Sequence, residues 1–190
     1  MVLLSDFLDE VTRRAREKVD SQWPDLQEDE RIEIARIIGI GAVRFTILSI
    51  RPNRNVIFDW DTALSFTGDT GPYIQYSCTR IASILRKYGV TPETSPKNVT
   101  VSHEAEWNLI LRLAQVPLDI EASLRTRNPA LIATTSLDIA RRFSMFYNTC
   151  PVLGAENDTI RESRIALCIA TRRVLMNLLK LLGIEAPERL

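Results

Sequence analysis

Residues 68–89 read GDTGPYIQYSCTRIASILRKYG, a stretch that opens as a helix N-terminus. Thr70 supplies a capping oxygen, Gly71 a turn, and Pro72 the φ-locked residue favoured where a helix begins. Turned at roughly 100° per residue from Tyr73, the residues Ile74, Cys78, Ile81, Leu85 and Tyr88 fall together on one apolar face. Tyr73, Tyr76 and Arg80 fall on a separate strip, about 125° from the centre of that face. Two readings of the strip stand side by side. Phenol rings and a guanidinium in line can stack on unstacked bases. The same residues can pack under a neighbouring helix, with Arg80 in an ion pair.

Outward from this helix the 3.6-residue period continues. Leu4, Leu8, Val11, Ala15 and Val19 form an apolar stripe that Trp23 and Pro24 end. From about Asp29 a second helix places Ile34, Ile38, Ala42 and Phe45 on one face, with Gly39 and Gly41 inside it. Two interior glycines cost about 1 kcal/mol each relative to alanine, which points to close helix packing. Residues 51–71 read as an irregular connector, in which Asp59 and Asp61 serve as turn caps. Helices are expected at 72–88, about 102–115, about 117–125, 129–149 and 159–182, and no period-two run competes. The loop TPETSPKN at 91–98 separates two of them, and Ser102 is a cap candidate for the second. Thr159 with Glu162 has the spacing of a capping box for the last helix, whose apolar face is Ile165, Ile169, Met176, Leu179 and Leu182; Gly183 stops it. The fold expected is an all-α helical bundle.

With 190 residues, 45% of them hydrophobic, the chain can bury a sizeable core. Its 24 basic and 24 acidic residues cancel, so net charge argues for no polyanion. The distribution is uneven, however. Residues 1–30 carry nine acids against four bases, whereas 71–90 carry Arg80, Arg86 and Lys87 and no acid. Cys78, Cys150 and Cys168 are isolated among apolar neighbours, as buried thiols in a reducing compartment would be. With His103 the sole histidine and no cysteine pair, a zinc site of ordinary ligands is not expected. No apolar run is long enough to span a bilayer and no basic-then-apolar leader begins the chain, so a cytoplasmic location is expected.

No catalytic set assembles in the sequence. Asp59 and Asp61 lack a nearby nucleophile, and His103 reads as a first-turn surface residue. The segment GIGAVRF at 39–45 does not follow a strand as a phosphate cradle would. Arg141 and Arg142 read as a solvated helix face, with phosphate contact as the lesser alternative.

The segments GIGAVRF (39–45), FDWDTALSFTGDTGPYIQYSCTR (58–80), FYNTCPVLGAE (146–156) and the ending LLGIEAPERL together resemble the C-terminal part of the class I arginyl-tRNA synthetases. VLLSDFLDE near the start resembles the segment after that family's second ATP-binding signature. The first signature, with its two histidines, is absent. The resemblance implies a connector over residues 1–65, leaving a catalytic domain of the same polypeptide, and an all-helical anticodon-binding domain of the DALR type over 66–190. It implies tRNA(Arg) as partner through its anticodon loop, whose middle base is a cytosine, and a monomeric protein. ATP with magnesium would serve the full-length enzyme, with no cofactor in this stretch.

By the same resemblance Tyr73, Tyr76 and Arg80 stand at the family's PYxQYxxxR motif and approach the anticodon loop. Tyr147 matches an aromatic that faces the anticodon stem-loop. Leu190 takes the place of a terminal methionine near that loop, keeping an apolar contact without the thioether. Thr135 and Ser136 stand where the family commonly has an aromatic, so the helix around 132–140 is given no base contact. The competing function is a freestanding helical protein-interaction module related to synthetases.

Overall fold

The computed structural model describes residues 4–91 and 99–189, and within them every regular element is a helix. In chain order these are α1 (Leu4–Gln22), α2 (Glu28–Leu48), α3 (Trp60–Ala63), α4 (Gly71–Tyr88), α5 (Glu104–Ala114), α6 (Val116–Thr126), α7 (Ala130–Thr149) and α8 (Asp158–Leu181). The all-α expectation holds. None of the described helices is long and apolar enough to cross a membrane.

Two hydrophobic clusters organise the packing. The smaller forms where α1 lies along α2, joining Val11, Ala15 and Val19 to Ile34, Ile38 and Ala42, with Phe7, Trp23 and Phe58 at its edge. Leu4, counted in the stripe from sequence, is instead exposed. Its place at the outer end of α1 leaves it beyond the reach of α2. The larger cluster is enclosed by α4, α5, α7 and α8 and centres on Phe143, Phe146, Ile81, Leu85 and Leu175. Phe45 at the C-terminal end of α2 belongs to this second cluster, so α2 touches both.

Glycine makes the crossing of α2 and α4 possible. A Cβ on Gly41 would lie 2.4 Å from Gln75 Nε2, and one on Gly71 only 3.0 Å from the Gly41 carbonyl oxygen. A Cβ on Gly39 would lie 3.2 Å from the Val11 carbonyl oxygen and 3.3 Å from Thr12 Cα in α1, a tight but looser fit. The interior glycines are therefore filled by protein atoms, as the packing reading of GIGAVRF requires.

Helix ends refine the sequence reading. Thr70 caps α4 as expected, accepting from the Tyr73 amide at 3.1 Å, while Gly89 closes the helix at φ 83°. Asp59 caps α3 through the Thr62 amide. For α5 the cap is His103, not Ser102: its Nδ1 accepts from the Ala105 amide, and Glu106 reaches back to the His103 amide. For α8 the cap is Asn157, whose side chain accepts from the Ile160 amide at 2.9 Å. The capping-box spacing of Thr159 and Glu162 lies inside the helix, because the earlier Asn157 already turns the chain there. Gly183, at φ 67°, follows the last turn as expected.

Buried charge ties the larger bundle together. Arg112 on α5 donates to Asp138 on α7 and to Asp119 on α6, each at 2.6 Å, and Thr135 also donates to Asp119. Arg164 on α8 donates to Glu106 on α5 at 2.6 Å, both side chains being only 4% exposed. Burial pushes the Glu106 carboxyl up, but the Arg164 guanidinium and the Ser102 and His103 amides outweigh it and hold its pKa below the ordinary value. Cys78, Cys150 and Cys168 are free and buried, as their apolar settings suggest.

Candidate nucleic-acid interface

The surface of interest begins with the residues of α4 left over after packing. Its apolar face goes into the core as the wheel predicts: Ile74, Cys78, Ile81 and Leu85 are each at most 2% exposed. The opposite flank is buried as well, which the wheel could not show. Gln75 is fully buried, its Nε2 donating to the carbonyls of Ile37 at 3.1 Å and Glu185 at 2.7 Å. Thr79 donates to the Pro187 carbonyl at 2.9 Å. The tail after α8 thus lies over α4, and its backbone polar groups are satisfied by two side chains that look surface-bound in sequence. What remains open is the narrow strip carrying Tyr76, Arg80, Ser83 and Lys87.

On that strip the structure brings together three of the residues singled out by sequence. The Arg80 guanidinium lies over the Tyr76 ring at 4.7 Å and over the Tyr147 ring of α7 at 5.1 Å. Among the described residues no carboxylate pairs with it, so the ion-pair alternative is not what holds it. Two rings instead hold the guanidinium, each cation–π contact contributing about 0.5–1 kcal/mol at a partly exposed site. Among the described residues no acceptor takes its N–H groups, which leaves the donors of the fork for a ligand.

The rings are themselves buttressed. Tyr76 is flanked by Trp23 and Phe66, each with centroids 6.3 Å away, and Tyr147 by Phe143 at 6.1 Å. Tyr147 is 39% exposed, whereas Tyr76 and Arg80 are half-buried. Beside them lies an open hollow of about 480 Å³ lined by Arg80, Ser83, Lys87, Tyr147, Asn148 and the 151–154 turn. It offers stacking surface, two cations and amide and hydroxyl groups, the set that a splayed nucleotide uses. Ser83, Lys87 and Asn148 were not singled out in sequence. Ser83 and Lys87 share the angular sector of Tyr76 and Arg80 on the helix, so extending the wheel by two turns finds them.

Tyr73 stands apart from this group. It is half-buried against the larger core, and its hydroxyl approaches the Ala140 carbonyl at 3.5 Å, the outer limit of a hydrogen bond. The 91–98 loop lies largely outside the described residues, as does Leu190. Arg141 and Arg142 are held by acids: Arg141 pairs with Asp69, and Arg142 with Asp138 at 3.2 Å.

Known proteins place this arrangement in context. Residues 74–190 match the model of the DALR anticodon binding domain. The whole chain aligns at 41% identity with an arginine–tRNA ligase of Proteus mirabilis and at 41% with one of Thermobifida fusca, covering 33% of each. The chain therefore spans about a third of the length of the curated relatives it matches. Among solved structures, the arginyl-tRNA synthetase of Thermus thermophilus superposes over the entire chain with a TM-score of 0.92 at 36% identity, and covers 32% of that protein. That of Plasmodium falciparum gives 0.86 at 26% identity, over the entire chain and 34% of its own length. The family model covers most of the chain, including the strip from Tyr76 to Lys87 and the α7 residues facing it, and the chain belongs to the DALR anticodon binding domain family.

Proposed function

We propose that the chain recognises tRNA(Arg) through its anticodon loop, as the C-terminal part of an arginine–tRNA ligase. The observation that carries this reading is Arg80, whose guanidinium lies over the rings of both Tyr76 and Tyr147 with no carboxylate among the described residues to neutralise it. A preoriented guanidinium flanked by aromatic faces suits a base that must be both stacked and hydrogen-bonded. Tyr73 contributes from the edge, and Leu190 closes the loop contact.

Such a domain contributes differential affinity and no chemistry: the correct anticodon satisfies polar groups that a wrong base leaves unpaired. ATP with magnesium belongs to the catalytic domain of the same polypeptide. The glycines of α2 do not fit a phosphate cradle, since Gly39 and Gly41 are each closed by protein atoms. Residues 1–65 are the connector to that domain, and 66–190 the recognition unit. The protein works as a monomer in the cytoplasm.

Binding of arginine tRNA to alanine variants tests the reading. Tyr76→Ala and Tyr73→Ala each weaken binding by about 1–3 kcal/mol if the ring stacks a base, with the smaller loss at Tyr73 because its ring leans on the core. Folded variants that both bind like the parent would refute it. Affinity that does not change with salt would point to a protein partner instead.

A further inference from the structure

A second hollow, of about 730 Å³, lies where the 51–54 turn after α2 meets the junction of α6 and α7. Its charged lining consists of Arg51, Arg54 and Arg127, with Asn53 and Asn128 beside them and no acidic residue. Most other arginines of the chain are matched to carboxylates, as Arg36, Arg112 and Arg164 are. Among the described residues these three are not. Uncompensated guanidiniums converging from two distant segments repel one another, an arrangement that an anion relieves.

Arg127 adds an independent observation. It sits just past the end of α6 in the left-handed region, at φ 49°, and is the one non-glycine described residue with positive φ. Glycine or asparagine takes that position with little strain, whereas an arginine there carries a cost of about 1 kcal/mol. Arg127 lines the hollow from this position. The first amides of α7 are already occupied by Asn128 and Pro129, so the attraction comes from the arginines.

We propose that this hollow grips the sugar-phosphate backbone of the bound RNA away from the anticodon loop. The inference rests on the reading of the chain as a tRNA-binding unit. No aromatic side chain lines the hollow, so bases find nothing to stack on, while each guanidinium can fork onto phosphate oxygens. Leu131 in its wall and Tyr147 at the first site are separated by sixteen residues of α7, about 24 Å along the helix axis. In this proposal the first site addresses the bases of the RNA and the second its phosphates, irrespective of sequence.

The test compares the parent chain, Tyr76→Ala, and the triple variant Arg51→Gln/Arg54→Gln/Arg127→Asn. Each is titrated with arginine tRNA, and with the same tRNA altered at the middle anticodon base, across a range of salt concentrations. The substitutions are on exposed residues, and urea unfolding midpoints verify the folds. Each lost phosphate contact flattens the plot of log affinity against log salt by about 0.7–0.9. The triple variant is therefore expected to lose roughly two to three units of slope and at least about tenfold in affinity at low salt, and to keep the parent's anticodon preference. Tyr76→Ala should lose preference and keep slope. If the parent discriminates anticodons and the triple variant retains both affinity and slope, the backbone site is overturned and the anticodon reading stands. If the parent shows no preference but the triple variant flattens the slope, the reverse holds. A chain that binds neither RNA overturns both.

Discussion

Replacing Arg164 with methionine removes one partner of a buried ion pair whose surroundings define the expected cost. Arg164 Nε donates to Glu106 at 2.6 Å, Nη1 to the Pro151 carbonyl at 2.8 Å, and weaker contacts reach Glu156 and Ser102 at 3.4 Å. After the substitution Glu106 keeps the Ser102 and His103 amides, at 2.7 and 3.1 Å, and the Ser102 hydroxyl at 3.3 Å, while the Pro151 carbonyl loses its donor. Breaking a buried pair from one side costs about 3–5 kcal/mol, roughly a fifth or more of the stability of an ordinary domain. At this chain length that lowers the melting temperature by roughly 6–20 °C. Replacing both partners, as Glu106→Leu/Arg164→Met, should recover only part of the loss, because it removes the stranded charge but leaves the Ser102 and His103 amides and the Pro151 carbonyl without their partners. Urea unfolding followed by far-ultraviolet circular dichroism measures all three chains, with an unchanged m-value as the check that only stability moved. The pair also imposes a pH dependence. Glu106 titrates below its ordinary value when folded, so its stabilisation is present above the unfolded pKa and is lost as pH falls through the folded one. The parent should therefore weaken more steeply than the double variant on acidification below about pH 4. A cost under about 1 kcal/mol for Arg164→Met, or a double variant no better than the single, would refute this account.

Gly41→Ala forces Gln75 from its two carbonyl partners, so overpacking and the lost hydrogen bonds outweigh the roughly 1 kcal/mol of helix propensity gained, for a net loss of about 1–2 kcal/mol in urea unfolding. Burial pushes the thiols of Cys78 and Cys168 up to about 12, so neither should react with a disulfide reagent in the native protein at mildly alkaline pH, whereas both react once it is unfolded. Rapid native labelling of either would contradict the packing of α4 against α8.

Much of the fold could be read from spacing because the core faces are nearly periodic. The stripe of Ile74, Cys78, Ile81 and Leu85 is buried as the wheel predicts, and Ile34, Ile38, Ala42 and Phe45 behave likewise on α2. Periodicity fails where a segment distant in sequence comes to lie on a polar flank. Gln75 and Thr79 are buried because the 184–187 tail crosses them, a contact that no local window contains. Caps were misplaced by one or two residues at α5 and α8 for a related reason: several polar residues precede each helix, and which one caps depends on where the chain arrives. At the site, the sector of α4 was legible, and the resemblance supplied Tyr147, but the closure of the two tyrosine rings on Arg80 was not. That closure depends on the approach of α7 to α4. The arginine hollow left no local signal, since Arg51 and Arg54 meet Arg127 only in the folded chain.

The central claim is that this surface distinguishes one anticodon from another. Its most direct measurement is the ratio of dissociation constants of the 190-residue chain for arginine tRNA and for the same tRNA with the middle anticodon cytosine replaced. Stacking and hydrogen bonds centred on Arg80 predict that the altered tRNA binds about tenfold or more weakly, equivalent to roughly 1.4 kcal/mol or more, and that Tyr76→Ala brings the ratio towards one. Tight binding of both tRNAs by the parent, with a ratio of one, would contradict it.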